Sequence, residues 1–163
     1  MRPISAAIDL PGMERSILDF WRENSIFEAS TEARSGAQPW TFYEGPPTAN
    51  GMPGTHHIEA RVFKDVFPRY QTMKGKYVTR KAGWDCHGLP VEIAVEKELG
   101  FSGKGDIEKY GIAAFNDKCR ESVTRHVGAF TTMTNRMGFW VDFDQAYWTM
   151  APEYVESVWW SLK

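Results

Sequence analysis

The chain has 163 residues with a formal net charge of −2; 42% are hydrophobic, 25% charged and 14% aromatic. That length suits one domain with a real core, and the charge balance removes bulk electrostatics as an argument for nucleic-acid binding. No secretory leader pattern or apolar run of ~20 residues occurs, and the two cysteines, Cys86 and Cys119, lack a metal or redox spacing, so a cytoplasmic location is expected.

Residues 1–12 read as an irregular arm. Met13, Ile17, Phe20, Trp21 and Phe27 fall near one stripe, which predicts an amphipathic helix from Met13 to Phe27. Gly12 precedes it and Asn24-Ser25 punctuates its end. The small, polar run from Ser30 to Pro39 reads as a linker. Residues 1–39 are therefore expected to form a helical arm and linker, and residues 40–163 the domain proper.

Trp40 to Glu44 is aromatic and bounded by Gly45-Pro46-Pro47, which predicts a strand. A helix is expected from Thr55 or His57. Ile58, Val62, Val66, Tyr70 and Met73 recur along it at helical spacing, so they should form one buried stripe. Pro68 should kink this helix or end it near Phe67, and Gly75 is a suitable stop. Tyr77 to Arg80 reads as a second strand, ending in a Gly83-Trp84-Asp85 loop. Strand, helix and strand make a βαβ unit, whose ligand loops follow the carboxyl ends of the strands. Both Gly-rich loops then share one edge.

Pro90 to Leu99 is expected as a helix closed by Gly100, followed by a loop over 101–105. Asp106 can cap the next segment, with helices over about 106–117 and 117–137 and a stop at Gly138. Phe139 to Thr149 reads as irregular or strand-like. Pro152 opens a last helix, whose stripe of Tyr154, Val158 and Leu162 runs up to Lys163 without a cap. The chain is expected to continue beyond that residue. No internal repeat is visible.

The Gly45–His57 segment has the parts of a phosphate site. Gly45, Gly51 and Gly54 allow close backbone approach, and Pro46, Pro47 and Pro53 stiffen the loop. The helix N-terminus offers free amides and a partial positive charge. His56 and His57 can donate hydrogen bonds to phosphate oxygens and stabilise charge that grows in a transition state. A tight turn with two exposed histidines fits the same residues. The sequence is neither a P-loop nor a GxGxxG fingerprint.

In the second loop, Asp85 can bind a substrate ammonium and Trp84 can wall an apolar pocket. His87 can orient Asp85, contact substrate or cap the helix. A zinc site from His56, His57, Cys86 and His87 is disfavoured, because adjacent pairs diverge and ligand spacings are absent, so no metal ligands are assigned. Asp142 and Asp144 read as a solvated strand face. Lys74, Lys76, Arg80 and Lys81 read as a solvated loop and strand edge, and Trp159-Trp160 as core or a domain interface.

With these residues in view, the chain resembles the class I aminoacyl-tRNA synthetases, and within them the isoleucine branch. Gly45-Pro46-Pro47-Thr48-Ala49-Asn50-Gly51 resembles the loop before that family's HxGH signature. Gly83-Trp84-Asp85-Cys86-His87-Gly88-Leu89-Pro90-Val91-Glu92 is similar to the isoleucine branch, and the stretch from Thr149 to Trp160 is also family-like. The resemblance covers nearly the whole chain from about Ala6. It implies an α/β fold: the first half of a Rossmann-like, nucleotide-binding catalytic domain, preceded by the helical arm.

The resemblance also implies a reaction. Isoleucine and ATP, with Mg²⁺ on the nucleotide, give isoleucyl-adenylate, and the aminoacyl group then passes to tRNA. By that likeness His56 and His57 are catalytic, and His57 takes the seat of the second signature histidine. Asn50, Gly51, Gly54, His56 and His57 face ATP. Gly45, Pro46, Trp84, Asp85 and His87 face the amino acid. The partners implied are isoleucine, ATP, tRNA and the remainder of a longer synthetase, with no membrane.

Two features depart from the pattern. Gly54-Thr55-His56-His57 exchanges the first His and the Gly of His-x-Gly-His. His56 is expected to reach the phosphate side, and Gly54 to leave room near adenosine. The KMSKS loop, the editing domain and the anticodon-binding domain are not among these residues, so the 163-residue chain is expected to be inactive alone. Alternatives are a non-catalytic nucleotide- or tRNA-binding fragment and one subunit of a split synthetase.

Overall fold

The computed structural model describes residues 8–163, so residues 1–7 of the expected irregular arm lie outside the described residues. Helix α1 (Leu10–Glu23) starts where the Asp9 carboxylate accepts from the Gly12 amide at 3.0 Å, with Pro11 in the first turn. One device pairs a free donor and the other removes one. The chain turns at Ser25, which has φ 46°, into α2 (Ile26–Glu32). The one helix expected over Met13 to Phe27 is therefore two, and the first residues of the expected linker are helical. Trp21 and Phe27 pack their rings on Trp140 at 4.9 and 5.7 Å. The Arg69 guanidinium lies 4.3 Å from the Trp140 ring centroid, a contact worth about 0.5–2 kcal/mol.

Strands β1 (Phe42–Tyr43), β2 (Arg80–Trp84) and β3 (Asp142–Trp148) form one parallel sheet in the order β1-β2-β3. The ladder of β1 is shorter than its aromatic run, yet the Trp40 and Glu44 amides at the run's two ends donate to the Tyr77 and Lys81 carbonyls at 2.9 and 3.0 Å. Pairing persists as isolated bridges, Pro39 with Tyr77 and Thr48 with Asp85. Gly83 and Trp84, expected in a loop, belong to β2, and Tyr77 contributes only its bridge.

Helix α3 (Thr55–Met73) joins β1 to β2 and differs from expectation twice. It does not end near Phe67 but continues past Pro68, whose ring is buried and whose carbonyl accepts from the Thr72 hydroxyl at 2.7 Å. Burial of the ring offsets the lost backbone bond. Second, the stripe expected to be buried faces outward. Ile58, Val62, Val66, Tyr70 and Met73 are all exposed, Met73 by 75%. The buried side is Arg61, Pro68 and Thr72. It is polar because it carries paired groups: Arg61 Nε donates to Thr134 Oγ1 at 3.1 Å, and Arg80 donates to Thr72 Oγ1 at 3.0 Å. Arg80 also pairs with Asp65 at 3.4 Å. It is only 2% exposed, so the expected solvated run of Lys74, Lys76, Arg80 and Lys81 loses one member to the interior. Burial holds the Arg80 guanidinium down to about 10.

Helices α4 (Leu89–Leu99), α5 (Lys104–Tyr110), α6 (Ile112–Thr124) and α7 (Val127–Arg136) follow, with α8 (Pro152–Leu162) after β3. Gly100 closes α4 at φ 71°, as its position predicts. Gly111, at φ 102°, separates α5 from α6, and Arg125-His126 separates α6 from α7, where one long helix was expected. Asp106 does not cap α5 from its first position: it accepts from the Ser102 amide and hydroxyl, both at 2.9 Å. The main core joins Ala49, Trp84, Cys86, Val91, Val123 and Phe130 beneath the carboxyl ends of the strands. A second cluster holds Ala82, Phe139 and Val141. Helix α8 buries none of its residues, so Trp159 and Trp160 are not core among the described residues.

Candidate functional site

The two loops meet where β1 and β2 end. The Asp85 amide donates to the Pro47 carbonyl at 3.0 Å, and the Thr48 hydroxyl donates to Asp85 Oδ2 at 2.9 Å. Oδ1 accepts from the His87 amide at 3.3 Å and from the Thr149 hydroxyl at 3.5 Å. These donors are all neutral. They fix the carboxylate without compensating its charge, which suits it to an incoming ammonium.

The first loop is tied along its length. Ala49 is fully buried, and its carbonyl accepts from the His126 amide at 3.2 Å. Asn50 Nδ2 donates to the Pro90 carbonyl at 3.0 Å, joining the loop to the start of α4. Gly45 is exposed and Pro46 half-buried, directly after β1. Gly51 is exposed with open space around its Cα.

At the start of α3 the Gly54 amide donates to His57 Nδ1 at 2.9 Å. A ring nitrogen that accepts carries no proton, so the neutral imidazole bears its proton on Nε2. Burial, neighbouring His56 and the Arg61 guanidinium, in that order, hold His57 below the usual imidazole range and favour this neutral form. Its ring meets Phe130 edge-on at 4.8 Å, and the Arg61 guanidinium sits 5.6 Å from the same Phe130 centroid. The arrangement presents an N–H donor beside the unpaired amides of a helix N-terminus, where an anion gains most.

His56 is exposed, with its ring centroid 3.9 Å from that of His57. A Cβ added at Gly54 would meet His56 Cε1 at 3.0 Å and Nδ1 at 3.1 Å. Gly54 and His56 thus constrain each other: a side chain at 54 needs the imidazole at 56 to yield.

Trp84 is 3% exposed. Its indole packs on Phe143 and Trp148 at 5.8 Å each and edge-on to Phe130 at 6.3 Å. It fills the core under Asp85 rather than forming an open wall. His87 is exposed; its amide, not its imidazole, orients Asp85, and Gly88 occupies the N-cap of α4. Among the described residues, no group of three or more His, Cys, Asp or Glu gathers in a way that could hold a metal ion. Burial pushes the Cys86 thiol up, the reverse of what a thiolate ligand requires.

Several site neighbours escaped the sequence reading. Thr48 and Thr149 hold Asp85, and Arg61 braces His57 by donating to its carbonyl at 3.4 Å. Glu44, Lys64 and Tyr147 form a cluster behind Gly45. Arg61 and Lys64 left a signal, lying one and two helical turns beyond His57 on α3.

The sequence model described as tRNA synthetases class I (I, L, M and V) matches residues 16–163. The chain belongs to the class I tRNA synthetases. Relatives within them include the isoleucine–tRNA ligase of Streptomyces avermitilis, 70% identical over 99% of this chain and 16% of the relative. That of Cutibacterium acnes is 70% identical over 96% of the chain and 14% of the relative. That of Thermus thermophilus is 52% identical over 95% and 15%. The chain therefore spans 14–16% of the length of these class I synthetases. The fold is similar to that in the ternary complex of Agrobacterium radiobacter K84 agnB2 LeuRS with tRNA and LeuAMS. That match has TM-score 0.56 at 22% identity, over 91% of this chain and 17% of the other. No helix among the described residues is long and apolar enough to cross a membrane.

Proposed function

We propose that this chain forms the N-terminal part of the catalytic domain of an isoleucine–tRNA ligase, with residues 40–163 in that domain and residues 1–39 as its arm. The observation that carries the proposal is the Asp85 amide on the Pro47 carbonyl, at 3.0 Å. It sets an uncompensated carboxylate beside a loop that leads to a helix-start N–H donor. One site then receives both an ammonium and a phosphate.

The substrates are isoleucine and ATP carrying its Mg²⁺. The isoleucine carboxylate attacks the α-phosphate, an O–P bond forms, and the bond to the β-phosphate breaks to release pyrophosphate. Asp85 holds the α-ammonium, and Gly45 and Pro46 border the amino acid. His87, exposed beside Asp85, faces the same substrate, and Trp84 supports it from beneath. Asn50, Gly51 and Gly54 line the ATP side. His57 Nε2–H, His56 and the amides of the α3 N-terminus stabilise charge growing on the phosphates, where preorganised donors act most strongly. Transfer to tRNA draws on the rest of a longer protein. Isoleucine as substrate is supported by the names of the relatives.

The test is ATP–pyrophosphate exchange by the full-length protein with each of the amino acids in turn. Exchange that depends on isoleucine is expected. Exchange with none of them, or only with another one, overturns the reading.

A further inference from the structure

We infer that Lys64 is a positioning residue, a staple that holds the Gly45–Pro47 loop at a fixed distance from α3 and so keeps the amino-acid side of the site in register with His57. The inference rests on the adenylation reading for its kinetic consequence, and on geometry alone for its mechanical one.

Lys64 Nζ donates to Glu44 Oε1 at 2.5 Å and to the Gly45 carbonyl at 3.0 Å. It therefore grips two consecutive residues at the point where β1 becomes the loop. His57, two turns earlier on α3, grips Gly54 at the loop's other end at 2.9 Å. A single helix thus clamps both ends of the loop, once near each proposed ligand.

Glu44 is gripped from three elements. Its amide donates to the Lys81 carbonyl on β2 at 3.0 Å, and its carbonyl accepts from the Tyr147 hydroxyl on β3 at 2.5 Å. Tyr147 reaches it because Gly83 has no side chain; a Cβ there would lie 2.4 Å from the tyrosine ring. The Glu44 carboxylate is 3% exposed while the Lys64 side chain is 32% exposed. Glu44 Oε2 is buried without a hydrogen-bond partner. A carboxylate held this way forgoes half its hydrogen bonding, a poor arrangement if stability were its only role. What it secures is the direction of the adjacent Gly45 carbonyl and of Pro46.

The test compares wild type with Lys64→Met, Lys64→Arg and the double variant Glu44→Gln/Lys64→Met in the full-length protein. Two readouts are used: hydrogen–deuterium exchange, and the KM values for isoleucine and ATP in pyrophosphate exchange. Lys64→Met is expected to speed exchange at the Glu44 and Asp85 amides, which donate to the Lys81 and Pro47 carbonyls, while the α3 amides over 59–67 keep their protection. Its isoleucine KM should rise about ten- to a hundredfold with little change for ATP, as misplacement by about 1 Å would give. Lys64→Arg, which keeps charge and donors, should recover much of that protection. The double variant removes the stranded buried charge; it should regain global protection but not the isoleucine KM. Unchanged exchange at Glu44 and Asp85 in Lys64→Met, or equal loosening of these amides and of 59–67, overturns the staple. A wild type without isoleucine-dependent activity overturns the functional reading instead, and the deuterium readout still decides the staple.

Discussion

The Gly54 amide and the His57 imidazole form a closed pair at the first turn of α3, with Nδ1 accepting at 2.9 Å. The pair makes the histidine useful only when neutral. A proton on Nδ1 would set donor against donor and release the ring.

Activity should therefore fall on the acid side as His57 is protonated. Its pKa in the folded chain lies below the ordinary value of 6.5, chiefly through burial. The sign follows. The neutral form, and the stability that comes with it, is present above the ordinary imidazole pKa and is lost as pH falls through the lowered one. The ¹³C or ¹⁵N shift of His57 against pH checks this. A midpoint at or above 6.5 would contradict it.

The contact between Gly54 and His56 predicts a non-additive pair. Gly54→His alone forces a side chain onto His56, since even its Cβ would lie 3.0 Å from Cε1. The exposed His56 ring can yield, so the expected cost in stability is no more than about 1 kcal/mol, with the larger effect on turnover. His56→Gly in the same chain should relieve it, giving a coupling energy of about 1 kcal/mol or more in a double-mutant cycle on turnover. Additive effects would mean the two positions do not meet.

Asp85→Asn keeps the shape and still accepts from Thr48, which now bonds Oδ2 at 2.9 Å. It removes the charge and also replaces the oxygen that accepts from the His87 amide and the Thr149 hydroxyl with a donor. The isoleucine KM should rise by about ten- to a hundredfold, the worth of a hydrogen bond to a charged group, with little change in ATP KM and a modest fall in melting temperature. Titrations of pyrophosphate exchange with each substrate separate these outcomes.

The outward apolar face of α3 gives a stability prediction. Val66 is 57% exposed. Val66→Ser in the 163-residue chain should change its unfolding free energy by no more than about 0.5 kcal/mol. A core valine would cost about 1.5 kcal/mol or more. Urea unfolding decides between them, and the same isolated chain should give negligible pyrophosphate exchange and bind a hydrophobic dye.

Some of this was legible from residues alone. Asp85 sits after a strand and before a helix and His57 in the first turn of one, and local sequence marks such points with Gly and Pro. The periodicity of Ile58, Val62, Val66, Tyr70 and Met73 correctly grouped them on one face. It could not say what that face meets. The opposite face carries buried Arg61 and Thr72 and half-buried Asp65, because their partners Thr134 and Arg80 come from elsewhere in the chain. The support around Asp85 and Glu44 was hidden for the same reason. Thr48 lies 37 residues from Asp85, Thr149 lies 64 away, and Tyr147 is 103 residues from Glu44. Polar pairs that distant leave no periodic trace.

Helix α7 gives this site a common backing. His126, just before it, holds the Ala49 carbonyl, Phe130 carries the His57 ring, and Thr134 takes the Arg61 guanidinium. The three positions are four apart, hence on one helical stripe. A small slide or roll of α7 would shift loop, imidazole and cation together. Whatever presses on the far side of α7 therefore bears on the loop, the imidazole and the guanidinium at once.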